Sequence, residues 1–215
     1  MGRRRAQLRS QRSAAACGLG AAALALLVPL AGGSAEPGYS HVAQFISELG
    51  AVGATHSTLV AAAGFAPIGA LVLGFLAFAA GLFPRSRRSA AGVACLAAVG
   101  ASYLASALFH CDAGCPSSGS FSQSVHNLFG FFQYAGAMAG LLLLGSAFRG
   151  SPDWRSLAPV CVVSAAFVAA GFVAMLMPDL DSFRGLSQRV AESSIFSWFA
   201  YTSVFLLRLR TEAES

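Results

Sequence analysis

The residues of this chain whose types could do chemistry are four histidines, two acids and one close cysteine pair. His41, His56, His110 and His126, with Glu48 and Asp112, offer imidazole and carboxylate groups of the kind that hold a divalent cation such as zinc. For a catalytic zinc, three protein ligands and one open position suffice. A metal-free hydrolase would instead set Thr55 or Ser106 as nucleophile against a histidine base. There is no His-x-x-x-His or His-Glu-x-x-His run, so any ligand set must be assembled from separate segments. Cys111 and Cys115 are spaced for a small disulfide loop that would clamp His110 and Asp112. Cys17, Cys95 and Cys161 lie in apolar runs and read as small core residues.

The elements that must position these groups are long apolar segments. Only 11% of the residues are charged, against about a quarter in soluble domains. A bilayer core needs about 20 mainly apolar residues per helix. Six segments meet or approach that length: 14–31, 58–83, 90–109, 125–148, 157–177 and 193–207. The first also has the form of a signal peptide; a retained helix is the preferred reading, and cleavage would leave the remaining topology unchanged. The expected fold is an all-α, polytopic six-helix membrane bundle. Residues 1–13 form a basic cytoplasmic N-terminus, 14–207 the membrane domain and 208–215 a cytoplasmic tail.

Charge supplies the orientation. All fourteen basic residues are arginine, and twelve of them lie in the N-terminus, the second and fourth gaps and the tail. Only Arg184 and Arg189 lie on the other side, together with all four histidines, Glu48, Asp112, Asp179, Asp181 and Glu192. The positive-inside rule then places both termini in the cytoplasm. The abundance of Ala and Gly with no lysine has the look of a high-GC bacterial coding bias, so the expected location is a bacterial inner membrane. Arginine clusters beside apolar runs follow the juxtamembrane pattern, and nucleic acid is excluded as a partner.

Three spans carry polar residues at helical spacing. The third has Ser102, Tyr103, Ser106 and His110; the fourth and its approach have Gln123, His126, Asn127, Gly130, Gln133 and Tyr134; the sixth has Ser193, Ser194, Ser197 and Tyr201. Polar faces are disfavoured in lipid, so these stripes are expected to face each other around a cavity open to the outside. Ser106, Gln123, Asn127, Gln133, Ser197 and Tyr201 would line it, with His110 and His126 at its mouth. The bland alternative is that the Ser and Gln residues only join helices. No acid falls in the middle of an expected span. In the first outer loop, residues 39–51 place Val42, Phe45, Ile46 and Leu49 opposite His41, Gln44 and Glu48, the pattern of a short amphipathic helix lying in the interface.

The runs YSHVAQFISELGA, HSTLVAAAGFAPIGALVLGF, FHCDAGCP and VHNLFGFF resemble the bacterial membrane family called domain of unknown function 998 over most of the chain after Gly38. More distantly, the Ile46, Ser47, Glu48, Gly50 run and His126 are similar to Frag-like and autophagy-modulator six-span proteins. His110 departs from the pattern, where proline is usual, which leaves His126 the better candidate for a shared role. The resemblance implies a six-helix membrane fold and no activity, with a slight pull toward lipid.

Four function classes remain: a protein that binds or handles membrane lipid, an intramembrane hydrolase of lipid or acyl groups, in which a metal is optional, a small transporter with His126 and Gln133 along its path, and a structural or partner-binding subunit. Lipid binding leads, because a polar outer cavity comes without a catalytic signature.

Overall fold

Six apolar helices dominate the chain, in a computed structural model that describes residues 2–212. They are α1 (Gly2–Ala35), α2 (Ser57–Ala79), α3 (Arg87–Leu108), α4 (Phe121–Arg149), α5 (Leu157–Met175) and α6 (Arg184–Glu212). All six are long and apolar enough to cross a membrane. Met1 of the expected N-terminus, residues 213–215 of the expected tail, and the side chains of Arg3, Arg210, Thr211 and Glu212 lie outside the described residues.

Local chemistry sets the helix starts. Ser86 and Ser120 cap α3 and α4 by accepting from the backbone N–H of Ser89 and Gln123. In α2 the turn Val60–Phe65 is a π-helix. It sits just before Pro67, which has no N–H to donate and crowds the preceding turn.

Each helix packs on the next, and α6 packs back on α1, so the six form a closed ring in chain order. Small residues allow the close approaches. A Cβ on Gly69 of α2 would lie 2.6 Å from the Gly100 carbonyl oxygen of α3. Aromatic side chains fill the interior. Phe75 packs edge-on against Trp198 and Phe199, and Trp154 joins Phe83, Phe148 and Phe205 at the arginine-bearing end.

Two expectations need correction. The first outer loop is not an amphipathic helix on the membrane surface. It is a single 3₁₀ turn, Ile46–Gly50, packed into the histidine-bearing end of the ring, with Glu48 buried and Val42 exposed. Its polar face is satisfied by protein, not by water. The sixth helix starts nine residues earlier than expected, at Arg184, so Glu192 lies about two turns inside the helix. An acid therefore does sit within a span.

Candidate functional site

The histidine end is closed by a cap made of the 3₁₀ turn, the 109–120 loop and the start of α6. Glu48 holds the cap together. One carboxylate oxygen accepts from Arg184 at 3.0 Å and from the Phe45 N–H at 2.9 Å, and the other accepts from the Gln44 amide at 3.1 Å. Arg184 also donates to the Ala43 carbonyl and lies over the Phe45 ring. The two loops are tied directly, since the Val52 N–H donates to the Cys111 carbonyl at 2.8 Å. His110 Nδ1 is 2.7 Å from the Gly50 carbonyl. A carbonyl can only accept, so that nitrogen carries the hydrogen.

Cys111 and Cys115 form a disulfide. Asp112 accepts from both the backbone and the hydroxyl of Ser120 at 2.8 Å, and these bonds hold its carboxyl below the usual carboxylate value. Gln123 and Asn127 border neither the small polar cavity under the cap nor the cleft between α1 and α6. They clasp this loop, donating to the Pro116 carbonyl, and Gln123 also accepts from the Asp112 N–H.

Beneath the cap lies a polar cavity of about 60 Å³, lined by Ser102, Tyr103 and Ser106 of α3, His126, Gly130, Gln133 and Tyr134 of α4, and Gln188 and Glu192 of α6, among others. The stripes of α3 and α4 thus do face each other. Glu192 is the one acid in this lining: Oε1 accepts from Tyr134 at 2.9 Å and from the Gln133 amide, and Oε2 accepts from Tyr103 at 3.0 Å. No basic residue lies within 4 Å of this carboxylate among the described residues. The volume suits waters, not a lipid.

A second, larger space lies on the other side of Glu192. α1 and α6 meet tightly where a Cβ on Gly18 would strike Ser203 Oγ. Closer to the histidine end a cleft of about 340 Å³ opens between them. Its walls are Ala22, Ala25, Leu26, Pro29 and Leu30 on one side and Glu192, Ser193, Phe196, Ser197 and Ala200 on the other, with His41, Ile46 and Arg189 completing the lining. Leu26 and Leu30 are 62% and 51% exposed, so the cleft is open on its outer side.

Arg189 donates to the Gln44 and Gly185 carbonyls, to the Tyr39 hydroxyl at 2.7 Å and to His41 Nδ1 at 2.9 Å. Because His41 Nδ1 accepts, that imidazole is neutral. Burial and then the Arg189 charge push its pKa below the ordinary histidine value. Burial raises the Tyr39 hydroxyl, against the opposing pull of Arg189. No carboxylate lies within 4 Å of Arg189 among the described residues, so its charge has no counter-ion.

The remaining candidates disperse. His56 is exposed at the start of α2, and Thr55 donates to the Glu36 carboxylate at the outer end of α1. Ser197 belongs to the α1/α6 cleft, and Tyr201 is 51% exposed on the outside of the ring. His126 Nδ1 is 3.1 Å from the Phe109 carbonyl. The four histidines do not gather. Among the described residues the one metal-type group is Cys111, Cys115 and His126, whose ligand atoms lie within 4.8 Å of one another. That set could hold a soft metal ion only with the two sulfurs reduced.

Glu192, Gln188 and Arg189 were legible in part. Arg184, Gln188, Glu192 and Phe196 recur every four residues, in register with the buried face of α6. Their polarity hid the helix start from a hydropathy reading. No curated protein and no solved structure matches the chain. Residues 19–204 match the family described as Protein of unknown function (DUF998), and with most of its length and its six-helix membrane fold inside that match the chain belongs to this family.

Proposed function

We propose that this protein binds an anionic membrane lipid, with an acyl chain in the α1/α6 cleft and the head group at Arg189. The cleft carries this reading: one largely apolar groove headed by a guanidinium that has no carboxylate within 4 Å among the described residues. Its volume is within the range of about 300–1,000 Å³ typical of small-molecule sites. From Arg189 to Ala200 α6 rises about 16 Å, close to half of a hydrocarbon core of about 30 Å, so the groove spans one leaflet. The arginine distribution supports cytoplasmic termini in a bacterial inner membrane, and the cleft then faces the extracytoplasmic leaflet. Ser193 and Ser197 offer hydroxyls to ester or head-group oxygens along the wall. The hydrolase reading finds less support, because no serine or threonine hydroxyl is hydrogen-bonded to a histidine ring among the described residues; Ser122 reaches only the His110 backbone carbonyl.

Native mass spectrometry of the detergent-purified protein tests the proposal. The expected spectrum shows co-purifying anionic lipid, lost in Ala25→Trp, which fills the cleft, and reduced in Arg189→Gln. A lipid-free wild type, or lipid retained in full by both variants, refutes it.

A further inference from the structure

We propose that Glu192 binds an exchangeable proton that reaches it from the histidine end through the small polar cavity. The inference does not rest on lipid binding, since it concerns the small polar cavity and not the cleft, although Glu192 lines both.

Three neutral donors surround the carboxylate, and no basic side chain lies within 4 Å of it among the described residues. Each carboxylate oxygen has two lone-pair positions. Tyr134 and Gln133 use both on Oε1, whereas Tyr103 uses one on Oε2. One position on Oε2 is therefore open, and a proton can sit there without displacing any donor. Burial disfavours the charged form while the three donors favour it, which is the balance a group needs to exchange a proton.

The second observation is Ser102. Its hydroxyl is buried, 1% exposed, and has no hydrogen-bond partner, yet the residue lines the same cavity. A buried hydroxyl left alone is disfavoured, and a cavity of about 60 Å³ has room for about two waters at ~30 Å³ each. Those waters complete Ser102 and supply a path to Glu192. His126 lies seven residues, about 10 Å, along α4 from Gln133 and stands at the outer end of the lining.

The other titratable or charged groups around Glu192 are Tyr103 on α3, Tyr134 and His126 on α4, Arg189 one turn away on α6, and His41 across the cleft. α1 and α2 present only apolar residues to the two spaces. The step forms an O–H bond at Oε2 and breaks one on a hydronium in the cavity, leaving water; no other reactant is needed. A metal cation fits less well, because Tyr103, Tyr134 and Gln133 direct hydrogens, not lone pairs, at the carboxylate.

Infrared difference spectroscopy of the full chain in detergent, between acid and alkaline pH, reads the carbonyl stretch of protonated carboxyls. Wild type is expected to show a titrating band that shifts in D₂O and is absent from Glu192→Gln. Tyr134→Phe removes one donor to the ionised form and is expected to move that band's midpoint to higher pH; it decides the matter alone should Glu192→Gln fail to fold. Wild-type intensity that survives in full in Glu192→Gln, or a midpoint unmoved by Tyr134→Phe, overturns the proposal. So does a midpoint that falls as sodium chloride is raised with choline chloride holding ionic strength constant, which would show a metal cation competing for the site.

Discussion

Replacing Glu48 by glutamine tests the cap that closes the histidine end. The carboxylate accepts from Arg184, the Phe45 N–H and the Gln44 amide at 3.0, 2.9 and 3.1 Å. Glutamine keeps one acceptor oxygen and turns the other into a donor, which then faces either the Gln44 amide or the Arg184 guanidinium. A hydrogen bond to a charged group contributes about 1.5–3 kcal/mol. The Arg184 side chain is 24% exposed, so water recovers part of that loss, and about 1–2 kcal/mol remains. That corresponds to about a 5- to 30-fold rise in local opening, at about 1.4 kcal/mol per decade.

Amide hydrogen exchange read by mass spectrometry is the assay. The reporters are the Glu48, Ala51 and Val52 N–H groups, each bonded to a carbonyl of the cap. Their protection should fall by that factor in Glu48→Gln while peptides from α2 and α3 stay unchanged. Arg184→Gln should cause a similar loss, and the double variant less than the sum of the two. Unchanged protection in Glu48→Gln, or additive losses, would refute the idea that this ion pair fastens the cap.

Two further outcomes follow from local geometry. In Gly69→Val the new Cβ would lie 2.6 Å from the Gly100 carbonyl oxygen, a backbone atom that cannot turn aside. Thermal unfolding in detergent should show about 1–3 kcal/mol of destabilisation, while Gly81→Ala, whose Cβ meets nothing within 4 Å, should stay within about 0.5 kcal/mol. His41 has a lowered pKa in the folded state, so the stability it contributes is complete above the ordinary histidine value of about 6.5 and is lost as pH falls through the folded value. Wild type should therefore lose stability on acidification by more than His41→Gln does, and equal pH dependence of unfolding in the two proteins would contradict the Arg189–His41 bond.

Much of the fold was legible because membrane insertion is written in composition. A run of about 20 apolar residues has few alternatives to a spanning helix, and arginine clusters mark the ends of such runs. The α3 and α4 stripes have a related origin: Ser102, Ser106, Gln133 and His126 recur at helical spacing and border one small space, whereas the other residues expected to line it do not. Individual roles were less legible. His110 and His126 look alike in sequence, yet His110 bonds the Gly50 carbonyl in the cap while His126 borders the cavity. Gln123 and Asn127 share the α4 stripe but serve the 109–120 loop.

By itself the sequence determined the number of helices, their approximate limits and the separation of arginine from histidine, because each depends only on local hydropathy and charge. Tertiary structure decided where the acids go. In the sequence Glu48 and Glu192 read only as acids of the outer side, and a carboxylate alone is too polar to bury. Glu48 is buried because Arg184, 136 positions away, meets it, and Glu192 because Tyr103, Gln133 and Tyr134 converge on it from two other helices. Those partners come together only when the ring closes, and no spacing along the chain encodes the distances between them.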